Sequence, residues 1–141
     1  MRAPFVADPS IALAWVAASQ ASPDTDALFK DIGDGRPFIV PSLWTFDVAN
    51  ALLLLQRRNR LSASDCVSAR QIVSRLRPTF DDEGAYAALT VIWEIADRYA
   101  LTVYDATYLE LAARKGFALA SRDRALNKAA KLAGVKTMLE P

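Results

Sequence analysis

The stretch LTVYDATYLELAARKGFALAS, residues 101–121, holds the pattern that decides the fold. Its first part is a helix rich in apolar residues, which Thr102 can begin as an N-cap and Gly116 can end. The short apolar run FALAS follows at once and is typical of a buried strand. A helix that leads directly into a short buried strand is characteristic of an α/β domain with a parallel sheet.

The same alternation runs along the whole chain. Strands are predicted for PFVAD at 4–8, PFIVP at 37–41, FALAS at 117–121 and VKTML at 135–139. Helices are predicted at 11–19, from Pro23 to Gly33 or Gly35, and at 42–60, 62–77, 83–99, 101–116 and 123–134. We therefore expect one α/β domain spanning residues 1–141, built around a parallel sheet of short strands.

The composition narrows the chemistry that such a domain can perform. The chain is 52% hydrophobic and 23% charged, which is typical of a globular protein, and no apolar run is long enough to span a membrane. The single cysteine, Cys66, permits no internal disulfide, so a cytoplasmic location is the default expectation. The absence of histidine excludes Ser-His-Asp triads and His-rich zinc sites. The net charge of +1 gives no overall attraction to nucleic acid.

Three aspartates lie where a parallel sheet places its functional site. Asp8 follows the first strand, Asp123 follows FALAS, and Asp105 lies in the first turn of the helix at 101–116. Sites in such sheets form beyond the carboxyl ends of the strands. Each residue also has a purely structural interpretation: Asp8 can begin a turn, Asp123 can cap a helix, and Asp105 can extend the cap at Thr102.

Asp47 is harder to explain by helix capping. It lies in PSLWTFDVANALLLL, several residues inside a predicted helix, where aspartate is a poor helix former. Leu43, Asp47, Asn50 and Leu54 share one helix face. The carboxylate is either on an exposed strip or in a polar pocket with a partner, and the apolar surroundings favour the pocket. Asn50, one turn further on, would help to hold Asp47 or a bound water.

Four converging carboxylates would repel one another unless a cation lay between them. At ~5 Å and an effective dielectric constant near 20, one pair costs about 3 kcal/mol. No lysine or arginine within each motif is dedicated to cancelling this charge, whereas a divalent cation would. Oxygen ligands without histidine or cysteine favour Mg²⁺ or Mn²⁺. Such an ion activates water and neutralises a phosphoryl oxygen, so hydrolysis of a phosphodiester is the natural reaction class.

Four segments together resemble the ordered motifs of the PIN-domain nucleases. They are FVADPSIALAW, PSLWTFDVANALL, LTVYDATYLELA and LASRDRAL, and the resemblance extends from Phe5 to the final strand. More narrowly, the chain is similar to VapC-type toxins of toxin–antitoxin pairs. The resemblance implies a three-layer α/β/α PIN-like domain, a Mg²⁺- or Mn²⁺-dependent endoribonuclease, a homodimer, and an antitoxin protein that blocks the site.

The resemblance also implies roles for particular residues. Asp8, Asp105 and Asp123 match the acidic metal-site positions, and Asp47 matches a catalytic position that is usually glutamate. Because aspartate is shorter by one methylene, Asp47 reaches a metal only if its helix lies closer or a water intervenes. Ser10 and Ser121 match positions where small hydroxyl residues often order the site.

Basic residues could guide an RNA backbone to this site. One cluster is Arg57, Arg58 and Arg60, which we expect mainly to solvate a helix end. The other is Arg122, Arg124, Lys128 and Lys131, of which Arg122 and Arg124 flank Asp123 and are placed to hold a phosphate.

Two expectations concern partners. Trp15, Trp44 and the run Leu52–Leu55 supply more apolar surface than a small core needs, so the first and third helices are predicted to contribute to a dimer interface or an antitoxin groove. The alternative to a nuclease is a non-catalytic PIN-like module that binds RNA or protein, in which the aspartates mainly cap helices.

Overall fold

A four-stranded, entirely parallel sheet forms the centre of the protein, which a computed structural model describes over residues 2–139. The strands are β1 (Phe5–Ala7), β2 (Phe38–Pro41), β3 (Thr79–Asp81) and β4 (Ala118–Ala120), in the spatial order β3-β2-β1-β4. Phe5 pairs with Phe38 on one side and with Ala118 on the other. The inner strands are entirely buried, as expected for a parallel sheet covered on both faces.

Helices cover the sheet and complete a three-layer α/β/α arrangement. They are α1 (Pro9–Val16), α2 (Pro23–Gly33), α3 (Trp44–Arg57), α4 (Ala63–Arg75), α5 (Gly84–Ala87), α6 (Val91–Tyr99), α7 (Val103–Lys115) and α8 (Arg124–Leu132), with a short 3₁₀ helix at Ala18–Gln20. Helix α1 packs against α2, α3 and α4, whereas α7 packs against α5, α6, α8 and three of the strands. The α/β class and the parallel sheet are therefore confirmed.

No helix within residues 2–139 is both long and apolar enough to cross a membrane.

The predicted strands were partly wrong. Strand β3 was missed because it is an edge strand whose Thr79 and Phe80 are exposed, so it carries no run of buried residues. The predicted strand at 135–139 is reduced to a single parallel bridge between Leu119 and Thr137.

The helix predicted at 83–99 was also wrong, because it is two helices. It is interrupted at residues 88–90, where Thr90 adopts a non-helical backbone conformation (φ −126°, ψ −96°). The apolar spacing of residues 83–99 therefore did not reveal that the segment is divided into α5 and α6.

The expectation that Trp15 and Trp44 exceed the needs of the core was wrong. Trp15 and Trp44 are only 7% and 2% exposed, and both rings pack edge-on against Phe38 in the core. Leu52 is buried as well, whereas Leu53 is 41% exposed. The chain needs these large side chains for its own core, since its strands contain only three or four residues each.

Candidate active site

The strands β1 and β4 are parallel neighbours, so the residues that follow their carboxyl ends lie close together although they are far apart in the sequence. Asp8 directly follows β1, and its backbone N–H donates to the carbonyl of Ala120 at 3.1 Å. Ser121 and Asp123 follow β4. The sheet thus places the first and last predicted site aspartates at the same edge.

Asp8 is buried, 4% exposed, and both of its carboxylate oxygens accept hydrogen bonds. Ser10 Oγ donates to Oδ1 and Ser121 Oγ donates to Oδ2, each at 2.5 Å. The backbone N–H of Ile11 also donates to Oδ1, at 3.3 Å, so that Asp8 caps α1. Burial raises the pKa of Asp8 to about 6, although these hydrogen bonds oppose the rise.

The two serines link Asp8 to the segment that carries Asp123. Ser10 Oγ accepts a hydrogen bond from the backbone N–H of Arg122 at 2.8 Å, and Ser121 Oγ accepts one from that of Asp123 at 3.0 Å. Asn127, buried in α8, donates its amide to the carbonyl of Ser121 at 2.8 Å. Ser10 and Ser121 therefore join Asp8 to the segment of Asp123. Asn127 adds a further link, and its only signal in the sequence is that it is a polar residue in an amphipathic helix.

Asp123 and Asp105 also serve the helices on which they lie. Asp123 Oδ1 accepts from the backbone N–H of Leu126 at 2.9 Å and caps α8. Thr102 caps α7 by accepting from the backbone N–H of Asp105 at 3.0 Å. The capping interpretation is therefore confirmed for Asp123, whereas Asp105 contributes its backbone N–H to the cap of α7.

Asp47 lies in the first turn of α3, since this helix begins at Trp44. The expectation of an interior helical aspartate was wrong on this point. The residue is half-buried, and the hydroxyl of Tyr108 donates to its Oδ2 at 3.0 Å. Burial raises the pKa of Asp47, and the hydrogen bond from Tyr108 opposes this.

The partner of Asp47 is Tyr108, whereas Asn50 is exposed. From the sequence, Tyr108 was interpreted as a core residue, and its ring is indeed completely buried. Two signals point to its second role: a buried tyrosine needs a partner for its hydroxyl, and it lies three residues after Asp105 on the same side of α7.

Electrostatic interactions connect all four aspartates through Asp105. Burial is the largest cause of the raised pKa of Asp105, and the charges of Asp123 and Asp47 raise it further. The charge of Asp105 in turn adds to the raised pKa of Asp8. The structure thus brings the four predicted residues into one interacting group, which we call the Asp105 cluster (Asp8, Asp47, Asp105 and Asp123).

The ion pairs formed between described residues do not include any member of the Asp105 cluster. The donor set consists of oxygen atoms only, which fits a hard divalent cation. However, within residues 2–139 no three His, Cys, Asp or Glu side chains are placed to hold a metal ion together. The oxygen donors of the Asp105 cluster fit such a cation, whereas the described side chains are not arranged as a preformed metal-coordination site.

Of the two predicted basic groups, the one that contains Arg122 and Arg124 adjoins the Asp105 cluster at Asp123. Arg122 is exposed and its guanidinium donates to the carbonyl of Gln20, while exposed Arg124 begins α8. Arg57, Arg58 and Arg60 are exposed at the end of α3. Arg122 and Arg124 flank Asp123 and stay candidates for phosphate contacts.

Two solved structures share this architecture. The chain aligns with the crystal structure of PAE2754 from Pyrobaculum aerophilum at a TM-score of 0.68 and 22% identity, covering 96% of this chain and 84% of that one. It aligns with the crystal structure of FitAcB from Neisseria gonorrhoeae at a TM-score of 0.64 and 14% identity, covering 96% of each chain. At these identities the likeness is one of fold, and the fold is PIN-like. Neither protein-family models nor curated proteins gave a match.

Proposed function

We propose that this protein is a metal-dependent endoribonuclease that hydrolyses RNA phosphodiester bonds. The observation that carries the proposal is the Asp105 cluster: the charge of Asp105 interacts with those of Asp8, Asp47 and Asp123, and none of the four forms an ion pair with a lysine or arginine of the described residues. Such a group costs free energy in the empty protein, and a divalent cation offsets that cost. The PIN-like fold and the resemblance of the four sequence motifs support the same function.

Asp8, Asp105 and Asp123 would hold Mg²⁺ or Mn²⁺. When bound, such a cation activates a water molecule and neutralises charge on the phosphoryl oxygens. Ser10 and Ser121 hold both oxygens of Asp8 in place, and Tyr108 holds Asp47. The protein's own contribution is therefore a set of oriented carboxylates beyond the carboxyl ends of parallel strands.

Arg122 and Arg124 are proposed to contact the RNA backbone beside Asp123. Both are exposed, and they flank a cluster member in the sequence. Positively charged side chains beside the cluster can bind a substrate phosphate without forming ion pairs that neutralise the carboxylates.

We further propose that the nuclease is the toxin of a toxin–antitoxin pair, acting as a homodimer that an antitoxin blocks. The motif resemblance supports this assignment. The surface provides apolar contacts for a partner, since Phe46, Leu89 and Trp93 are 81%, 84% and 58% exposed.

A non-catalytic binding module of the same fold is the second candidate. Its support is that Asp8 and Asp123 cap helices and that the described residues contain no ready-made metal cage. In that case the Asp105 cluster would be a by-product of helix capping, and its removal would not affect any reaction.

Cleavage of fluorescent single-stranded RNA oligonucleotides, with EDTA or with added Mn²⁺, separates the two candidates. Asp105→Asn should lower the Mn²⁺-dependent rate by at least about 100-fold, the usual loss when a key electrostatic group is removed. Asp65→Asn is the matched control, because Asp65 occupies the same place after the cap Ser62, with its N–H donating at 3.1 Å, but is exposed. Equal rates for wild type and both variants, or cleavage that persists in EDTA, would contradict the proposed function.

A further inference from the structure

We infer that Tyr108 is a positioning residue for the Asp105 cluster, acting through its hydrogen bond to Asp47. The inference rests on the proposed function. It goes further, because it assigns a role to a residue whose ring belongs to the core and whose hydroxyl reaches the site.

The first observation is the place of the Tyr108 hydroxyl. It donates to Asp47 Oδ2 at 3.0 Å, and it also experiences the charges of Asp8 and Asp105. A tyrosine hydroxyl ordinarily titrates near pH 10, so it carries its proton at neutral pH and can only stabilise a carboxylate that faces it. The hydroxyl is thus a fixed donor among three carboxylates.

The second observation is which parts of the fold the bond connects. Asp47 is on α3, which packs against α1 and α4, whereas Tyr108 is on α7, which packs against the sheet and α8. The two residues are 61 positions apart in sequence. Asp8, Asp105 and Asp123 are placed by strand ends and by α7 and α8, so this bond ties the fourth carboxylate to the elements that carry the others.

The third observation is the state of the two oxygens of Asp47. Oδ2 is engaged by Tyr108, which orients the carboxylate and leaves Oδ1 as the oxygen available to a cation or its water. Partners that orient acidic groups around a metal change its affinity when they are removed, typically by 10- to 100-fold. Tyr108 therefore fixes the short side chain of Asp47 in one orientation relative to the other carboxylates.

Calorimetric titration with Mn²⁺ tests this inference on wild type, Tyr108→Phe, Asp47→Asn and the double variant. Tyr108→Phe should raise the dissociation constant for Mn²⁺ by about 10-fold or more. In the Asp47→Asn background, Tyr108→Phe should cause no further change, because the hydroxyl acts through Asp47. Tyr104→Phe is the matched control: Tyr104 is one turn earlier on α7 and 64% exposed, and its variant should bind like wild type.

The outcomes separate this inference from the proposed function. Wild-type affinity in Tyr108→Phe, or an equal loss with and without Asp47, would overturn the positioning role alone. A wild-type protein that binds no Mn²⁺ would overturn both the role and the proposed function. If Tyr108→Phe does not fold, unchanged Mn²⁺ binding in Asp47→Asn overturns the inference, because the hydroxyl acts through Asp47.

Discussion

Two groups of acidic side chains differ in how their charge is balanced. At the first, Asp81, Glu83 and Glu110 surround Arg114, whose guanidinium lies 2.7–2.8 Å from a carboxylate oxygen of each. The hydrogen bonds from Arg114 hold the pKa of Asp81 below its usual range. At the second, the Asp105 cluster, burial raises the pKa of Asp8, Asp47 and Asp105, and repulsion between carboxylates adds to the rise at Asp8 and Asp105.

The difference shows what each group contributes. The Arg114 group carries its own counter-ion and ties the end of β3 to α7, so its effect is on stability. The Asp105 cluster has hydroxyl and backbone donors but no ion pair within the described part of the chain, and this unbalanced charge is the basis of the proposed cation site. The first prediction tests the balanced group, and the next three test the unbalanced one.

Arg114→Ala should give the largest change in stability. Asp81 and Glu110 are only 8% and 6% exposed, and the substitution leaves both without their ion-pair partner. Removing one partner of a buried pair costs about 3–4 kcal/mol of unfolding free energy, measured by urea denaturation. Lys30→Ala is the control. Lys30 and Asp34 are four residues apart, as Glu110 and Arg114 are, but their ion pair is exposed and contributes less than about 0.5 kcal/mol. An equal loss of unfolding free energy in the two variants would contradict the stabilising role of the Arg114 group.

Asp8→Asn should change the pH dependence of stability in the metal-free protein. The folded-state pKa of Asp8, about 6, lies above the ordinary value of 3.8, so the folded protein binds the proton more tightly. The protonated carboxyl therefore stabilises the fold fully below about pH 4, and this contribution is lost as the pH rises through 6. A shift of one pKa unit corresponds to 1.36 kcal/mol, so the rise from 3.8 to about 6 means a loss of about 3 kcal/mol of unfolding free energy.

Urea denaturation in EDTA at pH 4 and pH 7.5 measures this effect. The asparagine variant should be the more stable protein at pH 7.5 and should lack the part of the pH dependence that Asp8 causes. If the stability of the variant and of the wild type changed with pH in the same way, the charge of Asp8 would not destabilise the fold.

Mn²⁺ should stabilise the wild-type fold, since the ion binds the native Asp105 cluster and not the unfolded chain. At a concentration 100 times the dissociation constant, the expected gain is about 2.7 kcal/mol, visible as a higher melting temperature. Asp105→Asn should reduce the gain, whereas Asp65→Asn should keep it. A melting temperature indifferent to Mn²⁺ would favour the non-catalytic module.

Asp123→Ala should have the smallest effect on the metal-free protein. It removes the cap of α8, which costs about 1 kcal/mol, and this loss is partly offset because a charge near Asp105 disappears. Asp123→Asn, which keeps a capping oxygen, should not be destabilised in the same denaturation experiment. A loss well above 1 kcal/mol in Asp123→Ala would mean that Asp123 holds more of the structure than its cap.

The sequence predicted those parts of the fold that depend on local signals. The cap Thr102 and the end at Gly116 are where their local patterns placed them, and α2 begins at Pro23 as predicted. Strand β3 was not predictable in this way, because an exposed edge strand is defined by pairing with β2 and not by its own residues. The break between α5 and α6 was not predictable either, because the apolar spacing of residues 83–99 is that of one helix and Thr90 nevertheless adopts a non-helical conformation.

The candidate site was predictable as a set of residues and not as a network. Asp8, Asp105 and Asp123 were identifiable because acids at strand ends and helix starts share one edge of a parallel sheet. Asp47 was identifiable for a different reason, because aspartate is a poor former of an otherwise apolar helix. The contact of Tyr108 with Asp47 was not, since it joins residues 61 positions apart. The Arg114 group was missed for the same reason, because Arg114 and Asp81 lie 33 positions apart.

Direct Mn²⁺ binding to Asp105→Asn and Asp65→Asn, measured by calorimetry beside the wild type, tests the central claim most directly. These variants make the same chemical change at equivalent capping positions, one inside the Asp105 cluster and one on the exposed surface of α4. If the cluster is a cation site, wild type and Asp65→Asn bind the ion with the same affinity, and Asp105→Asn binds it at least 10-fold more weakly. Equal binding by all three proteins, or no binding by the wild type, would contradict the claim.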